Sequence, residues 1–140
     1  MNRWWILIGL AVFAVAGMAR AQDTDAGMKL ELNRLEPADD ACRAYLVIEN
    51  RTPAAFTRFR YDLVIFDSDG IVSRRLALET GPLPAGKTSL KVFDLAGLPC
   101  DRIGRILIND VLECADGTGR REDCLPLVEP GSRTGTPLIR

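Results

Sequence analysis

The chain has 140 residues, with 18 Lys and Arg against 19 Asp and Glu and no histidine. A near-neutral, weakly acidic balance gives no electrostatic footprint for nucleic acid or for an anionic lipid surface. The missing imidazole removes the commonest general base and a common metal ligand.

The first residues read as an address. Arg3 precedes an apolar run from Ile6 to Ala19, and Ala19-Arg20-Ala21 places small residues where a signal peptidase reads them. Residues 1–21 are therefore predicted to be a secretory signal peptide, cleaved after Ala21. The run is short of the roughly 20 apolar residues of a membrane span. The competing reading is an uncleaved N-terminal anchor, helped by Trp4 and Trp5. No Arg-Arg pair marks a twin-arginine route, and no Cys follows the cleavage point. The mature chain runs from Gln22 to Arg140, 119 residues (140 less 21), which suits one domain. Removing Arg3 and Arg20 leaves 16 basic against 19 acidic side chains, a net of −3. Localisation is predicted to be periplasmic or secreted.

Residues 22–27 are expected to form a flexible leader. Met28, Leu30 and Leu32 alternate with Lys29, Glu31 and Asn33, the period of a half-buried strand. Pro37 to Asp40 reads as a loop. Cys42, Ala44, Leu46 and Ile48 share one face of a second strand, with Tyr45 and Val47 opposite, so this strand is a candidate for cover on both sides. Asn50 to Pro53 breaks it. Residues 59–78 form the most informative stretch. Phe59, Tyr61, Leu63 and Ile65 line one face, Leu76 and Leu78 continue it, and Asp69-Gly70 is a pair favoured in a tight hairpin turn. With those two as the loop, Leu63 faces Leu76, Tyr61 faces Leu78, and Arg60 faces Glu79 as an opposite-charge pair. Gly81 to Gly86 holds two prolines and two glycines and reads as a loop. Thr88 to Leu95 is another strand, with Leu90 and Val92 separated by polar positions. Ile103 to Cys114 contains the apolar run Ile106-Leu107-Ile108 and is predicted to be a sheet-centre strand; the alternative, a short helix, is disfavoured by β-branched crowding. Leu125 to Val128 is a candidate last edge strand. Residues 129–140, rich in Gly, Pro, Ser and Thr, are expected to be a loose tail.

Six to seven short strands with no long amphipathic helix predict an all-β fold: one immunoglobulin-like antiparallel β-sandwich over residues 28–128. Cys42, Cys100, Cys114 and Cys124 all lie in the mature part. An even count in an exported chain reads as two disulfides, whereas a cysteine-only zinc site asks for close paired spacings that are absent. Four cysteines allow three pairings. In an immunoglobulin-like order the second and sixth strands run the same way, so Cys42 and Cys100 start at one end of the sandwich. Cys114 closes the sixth strand and Cys124 follows ten residues later. The predicted pairs are Cys42–Cys100 and Cys114–Cys124.

The residues offer little reactivity. No G-x-S-x-G occurs, and Lys87 has no S-x-x-K partner. Asp67-Ser68-Asp69-Gly70 resembles the start of a calcium loop, but Ile71 stands at the next oxygen position and no Glu closes the twelfth place. It reads as a turn. Gly117-Thr118-Gly119 is too short for a phosphate loop. Asp39-Asp40 reads as a solvated pair. Arg74-Arg75 and Arg120-Arg121 are candidate anion contacts, but adjacent strand residues point to opposite faces. Arg74 is expected to snorkel from the core edge. No catalytic, metal or cofactor residue is assigned.

Phe59, Tyr61, Asp62, Leu63, Asp67 and Gly70, followed by Leu83-Pro84-Ala85-Gly86 before Leu90, resemble the core of bacterial FxLYD-type and related immunoglobulin-like or fibronectin type III-like envelope domains. The resemblance covers roughly half of the mature chain. It departs from the family pattern in having Arg60 alone between Phe59 and Tyr61, and the four cysteines are not part of that pattern. It implies a binding or assembly role and carries no catalytic residues. The expectation is a non-enzymatic module binding protein partners at the cell envelope, through a sheet edge or the Gly81–Gly86 loop. The alternative is a periplasmic carrier of a small molecule or ion. No nucleic acid partner is expected, nor any membrane contact beyond the signal peptide.

Overall fold

The structure, a computed structural model, describes residues 27–140. The signal peptide expected over residues 1–21, its cleavage after Ala21, and all of the leader except Gly27 lie outside the described residues.

Among the described residues, nine strands form two sheets: β1 (Met28–Ala38), β2 (Ala41–Asn50), β3 (Phe56–Phe66), β4 (Val72–Glu79), β5 (Thr88–Leu95), β6 (Arg105–Asp116), β7 (Gly119–Arg120), β8 (Val128–Ser132) and β9 (Leu138–Ile139). The first sheet has the order β5-β2-β1-β8. The second has the order β4-β3-β6-β7, and β9 also pairs with β6. Cys100–Arg102 and Leu125–Leu127 are single 3-10 turns. The fold is an all-β sandwich. Its six long strands, β1 to β6, are the segments that alternation marked, or in β6 the apolar run Ile106-Leu107-Ile108; the three short ones carry no such pattern.

The core sits where the inner faces of the two sheets meet. Met28, Leu30 and Leu32 from β1, Ala44, Leu46 and Ile48 from β2, and Phe59, Tyr61, Leu63 and Ile65 from β3 are all buried. Each buried aliphatic side chain contributes about 1.5–3 kcal/mol relative to exposure. Phe56 and Phe59 meet edge to face at 5.2 Å, and Phe59 and Tyr61 follow at 5.0 Å. The outer face of β2 is half covered, as its Tyr45 and Val47 implied.

Two disulfides close the frame. Cys42 at the start of β2 is bonded to Cys100 in the first 3-10 turn, and Cys114 in β6 to Cys124. These are the pairs that strand order predicted.

Three local expectations change. The β3–β4 register holds Leu63 opposite Leu76 and Tyr61 opposite Leu78, but it shifts between Ile65 and Phe66. The hairpin therefore ends in a loop over residues 67–71 rather than two residues, because the Asp67 carboxylate accepts the Asp69 and Ile71 backbone N–H groups. Arg60 is opposite Glu79, yet Glu79 turns to the backbone N–H groups of Phe59 and Gly81, and it is Arg58 that reaches it. Pro37 is not in a loop; it pairs with Cys42 in β1, and only Asp39 and Asp40 turn the chain. Asp39 supplies the positive φ, 53°, that an Asp tolerates.

The largest change is at the C-terminus. Leu125–Leu127 is a turn, and the edge strand is β8, parallel to β1. The expected loose tail over residues 129–140 is built into both sheets. Arg133 N–H donates to the Leu32 carbonyl and its guanidinium to Glu31. Leu138 is buried and pairs with Ile106, and Arg140 donates to the Leu125, Pro126 and Val128 carbonyls. Composition pointed the wrong way because these contacts lie far away in sequence.

Candidate functional site

The edge of the first sheet is the most distinctive surface. β5 pairs with β2 along its whole length, from Cys42–Leu95 to Glu49–Thr88, without a register shift. Alternation turns Thr88, Leu90, Val92 and Asp94 to the outer face and Ser89, Lys91, Phe93 and Leu95 inward. Leu90 is 63% exposed and Val92 40% exposed. The apolar pair that marks this strand in the sequence is thus turned to solvent. Behind it, Val47 pairs with Leu90 and Tyr45 with Val92, which extends the patch onto β2.

Charge surrounds this patch. Arg43 forms a two-pronged pair with Asp94, at 2.7 and 3.0 Å. That contact holds the Asp94 carboxyl below its usual range. The Tyr45 hydroxyl donates to Glu36 at 2.7 Å, which raises the phenol, and the Arg34 guanidinium lies 5.6 Å from the Tyr45 ring centre. Arg51 reaches Glu49 at 2.9 Å. The surface thus has an apolar centre and a border of charges that are already paired.

The outer face of the second sheet is more polar. Arg75 donates to both Asp62 oxygens, at 2.8 and 2.7 Å, and the Asn109 amide adds 2.6 Å. The Asp62 side chain is only 3% exposed. The guanidinium holds this carboxyl below the ordinary range, against burial that raises it. Asn109 sits at a bulge where β6 gains a residue against β3, which is what brings its amide over Asp62.

The remaining residues singled out in the sequence are dispersed. Arg74 is half-buried on the inner face of β4 opposite Ile65, with no ion pair or side-chain hydrogen bond among the described residues. Arg121 stands over Phe56 at 5.5 Å and contacts Asp116 at 3.7 Å, while Arg120 is exposed in β7. Asp39 and Asp40 are exposed at the β1–β2 turn. Lys87 is exposed before β5; its backbone carbonyl accepts from Asn50. The Gly81–Gly86 loop is pinned: Leu83 is buried and bridges Phe56, and the buried Asn50 amide donates to the Leu83 and Pro84 carbonyls.

Open depressions lined by described residues lie at one end of the sandwich. One of about 400 Å³ lies against Pro37, Ala41, Pro99 and Cys100, with Asp39 and Asp101 beside it. Others of about 270 and 200 Å³ flank Asp67. Among the described residues, no three His, Cys, Asp or Glu side chains converge as metal ligands. No described helix is long and apolar enough to cross a membrane.

Sequence reasoning named a sheet edge as a contact but did not say which. Leu90 and Val92 at alternate positions with Lys91 between them are the sequence signal of the exposed apolar pair on β5.

Fold and staples together define an all-β sandwich with two disulfides, the mark of an oxidising, extracytoplasmic environment. No family model matches the chain, and no curated protein matches it. Among solved structures it is similar to IrmA from Escherichia coli, at 13% identity and a TM-score of 0.55, over 74% of this chain and 90% of that one. At that identity the likeness is one of fold.

Proposed function

We propose that this protein is a non-enzymatic module of the bacterial periplasm or extracellular space that binds a protein partner through the β5 edge and its outer face. The observation that carries the reading is an eight-residue edge strand in unbroken register that shows Leu90 and Val92 to solvent inside a charged border. The predicted signal peptide and the resemblance of Phe59–Gly70 to FxLYD-type envelope domains support it.

A photo-reactive amino acid at position 90 should form one dominant adduct in the periplasm, lost in a Val92→Asp background. The same probe at Ser68, in the β3–β4 loop of the other sheet, should form none. Equal labelling from both positions, or none from position 90, overturns the proposal. A small-molecule carrier is the second reading. The observation in its favour is the depression of about 400 Å³ beside Cys100, which lies within the size range of ligand sites.

A further inference from the structure

The four free edges of the two sheets are not equivalent. β8 is five residues long and carries Pro130, which has no N–H to offer. β7 and β9 have two residues each. β4 is long, but its outer face is occupied by the Arg75–Asp62 pair. β5 has eight residues, no Gly or Pro, and alternate backbone N–H and C=O groups turned away from β2.

Lys91 decides what such an edge accepts. It points inward, opposite Leu46, which is buried. Among the described residues it has no side-chain hydrogen bond or ion pair. No carboxylate on β2 or β5 can reach its face: Asp94 and Glu49 lie on the outer side and are engaged by Arg43 and Arg51. A half-buried lysine beside an open edge is complementary to an acid arriving on the neighbouring strand. The same residue works against a second copy of this chain. An antiparallel β5–β5 pairing that sets Leu90 across from Val92 also sets Lys91 directly across from Lys91, a destabilising like-charge contact.

We infer that the partner adds an extended segment to β5 as a further strand, with an acidic residue opposite Lys91 flanked by apolar residues opposite Leu90 and Val92. This rests on the partner-binding reading above and names the chemistry of what binds.

The test uses the mature protein, labelled with nitrogen-15, and two capped peptides, Ser-Val-Glu-Val-Thr and the same sequence with lysine in place of glutamate. The glutamate peptide should shift β5 and β2 amides and bind about tenfold more tightly than the lysine peptide. In the Lys91→Glu protein the preference should reverse by a similar factor. Equal affinities, shifts elsewhere on the molecule, or no binding at millimolar peptide overturns the inference. So does a concentration-dependent dimer, seen by sedimentation, that broadens the β5 amides of the free protein. An adduct at position 90 without charge selection between the peptides removes this inference alone. Failure of the adduct removes the partner-binding reading as well.

Discussion

Tyr61 fills the core beside Phe59, yet among the described residues its hydroxyl has no hydrogen-bond partner, and burial pushes the phenol far above its ordinary value. A buried hydroxyl without a partner costs desolvation and returns nothing. Tyr61→Phe should therefore leave stability unchanged or raise it by about 1 kcal/mol, read from urea unfolding. A loss of that size would mean that the hydroxyl is bonded in solution. Asp62, one position on, is the opposite case. Its carboxyl is held low by Arg75, with help from Asn109. A group lowered on folding contributes stability that is fully present above its unfolded value, near 3.8, and is lost as pH falls through the lower folded value. Asp62→Asn should cost about 1–3 kcal/mol at neutral pH. It should also flatten the acid limb of the stability curve below about pH 4, measured by denaturant titration at several pH values. An unchanged acid limb would place the titrating group elsewhere.

At the scale of elements, the β3–β4 hairpin and the C-terminal strands show two different sources of order. The hairpin register follows from side-chain alternation: slipping it by one residue would turn Tyr61, Leu63 and Ile65 to solvent. Its loop was less legible, because the Asp67 carboxylate competes for backbone donors. Gly104 packs against that loop so closely that an added Cβ would collide with the Asp67 carbonyl. β8 and β9 have no pattern of their own and are held by partners about a hundred residues earlier, β1, and about thirty residues earlier, β6. Leu138→Ala should therefore cost about 2–3 kcal/mol despite its position in a Gly- and Pro-rich stretch, measured by thermal or urea unfolding. No effect would mean that β9 is not docked in solution.

Across the whole molecule, the two disulfides restrict very different loops. Cys42 and Cys100 are 58 positions apart, Cys114 and Cys124 only 10. Chain entropy alone assigns about 4 kcal/mol to the first bridge and about 3 kcal/mol to the second. The double variant Cys42→Ala/Cys100→Ala should accordingly lose more in urea than Cys114→Ala/Cys124→Ala. The reverse order would show that local packing, not loop closure, dominates.

Hydrophobic pattern by itself determined the six long strands and the sandwich, whereas the staple pairs needed an assumed strand order as well, because four cysteines allow three pairings. Alternation such as Phe59-Tyr61-Leu63-Ile65 has only one strand solution that buries every member. Which edge stays open, which face of β5 meets water, and how residues 128–140 are held were decided only in the tertiary structure. Those features depend on contacts between segments far apart in the chain, Val128 on Met28 and Leu138 on Ile106, whose strength no local composition records.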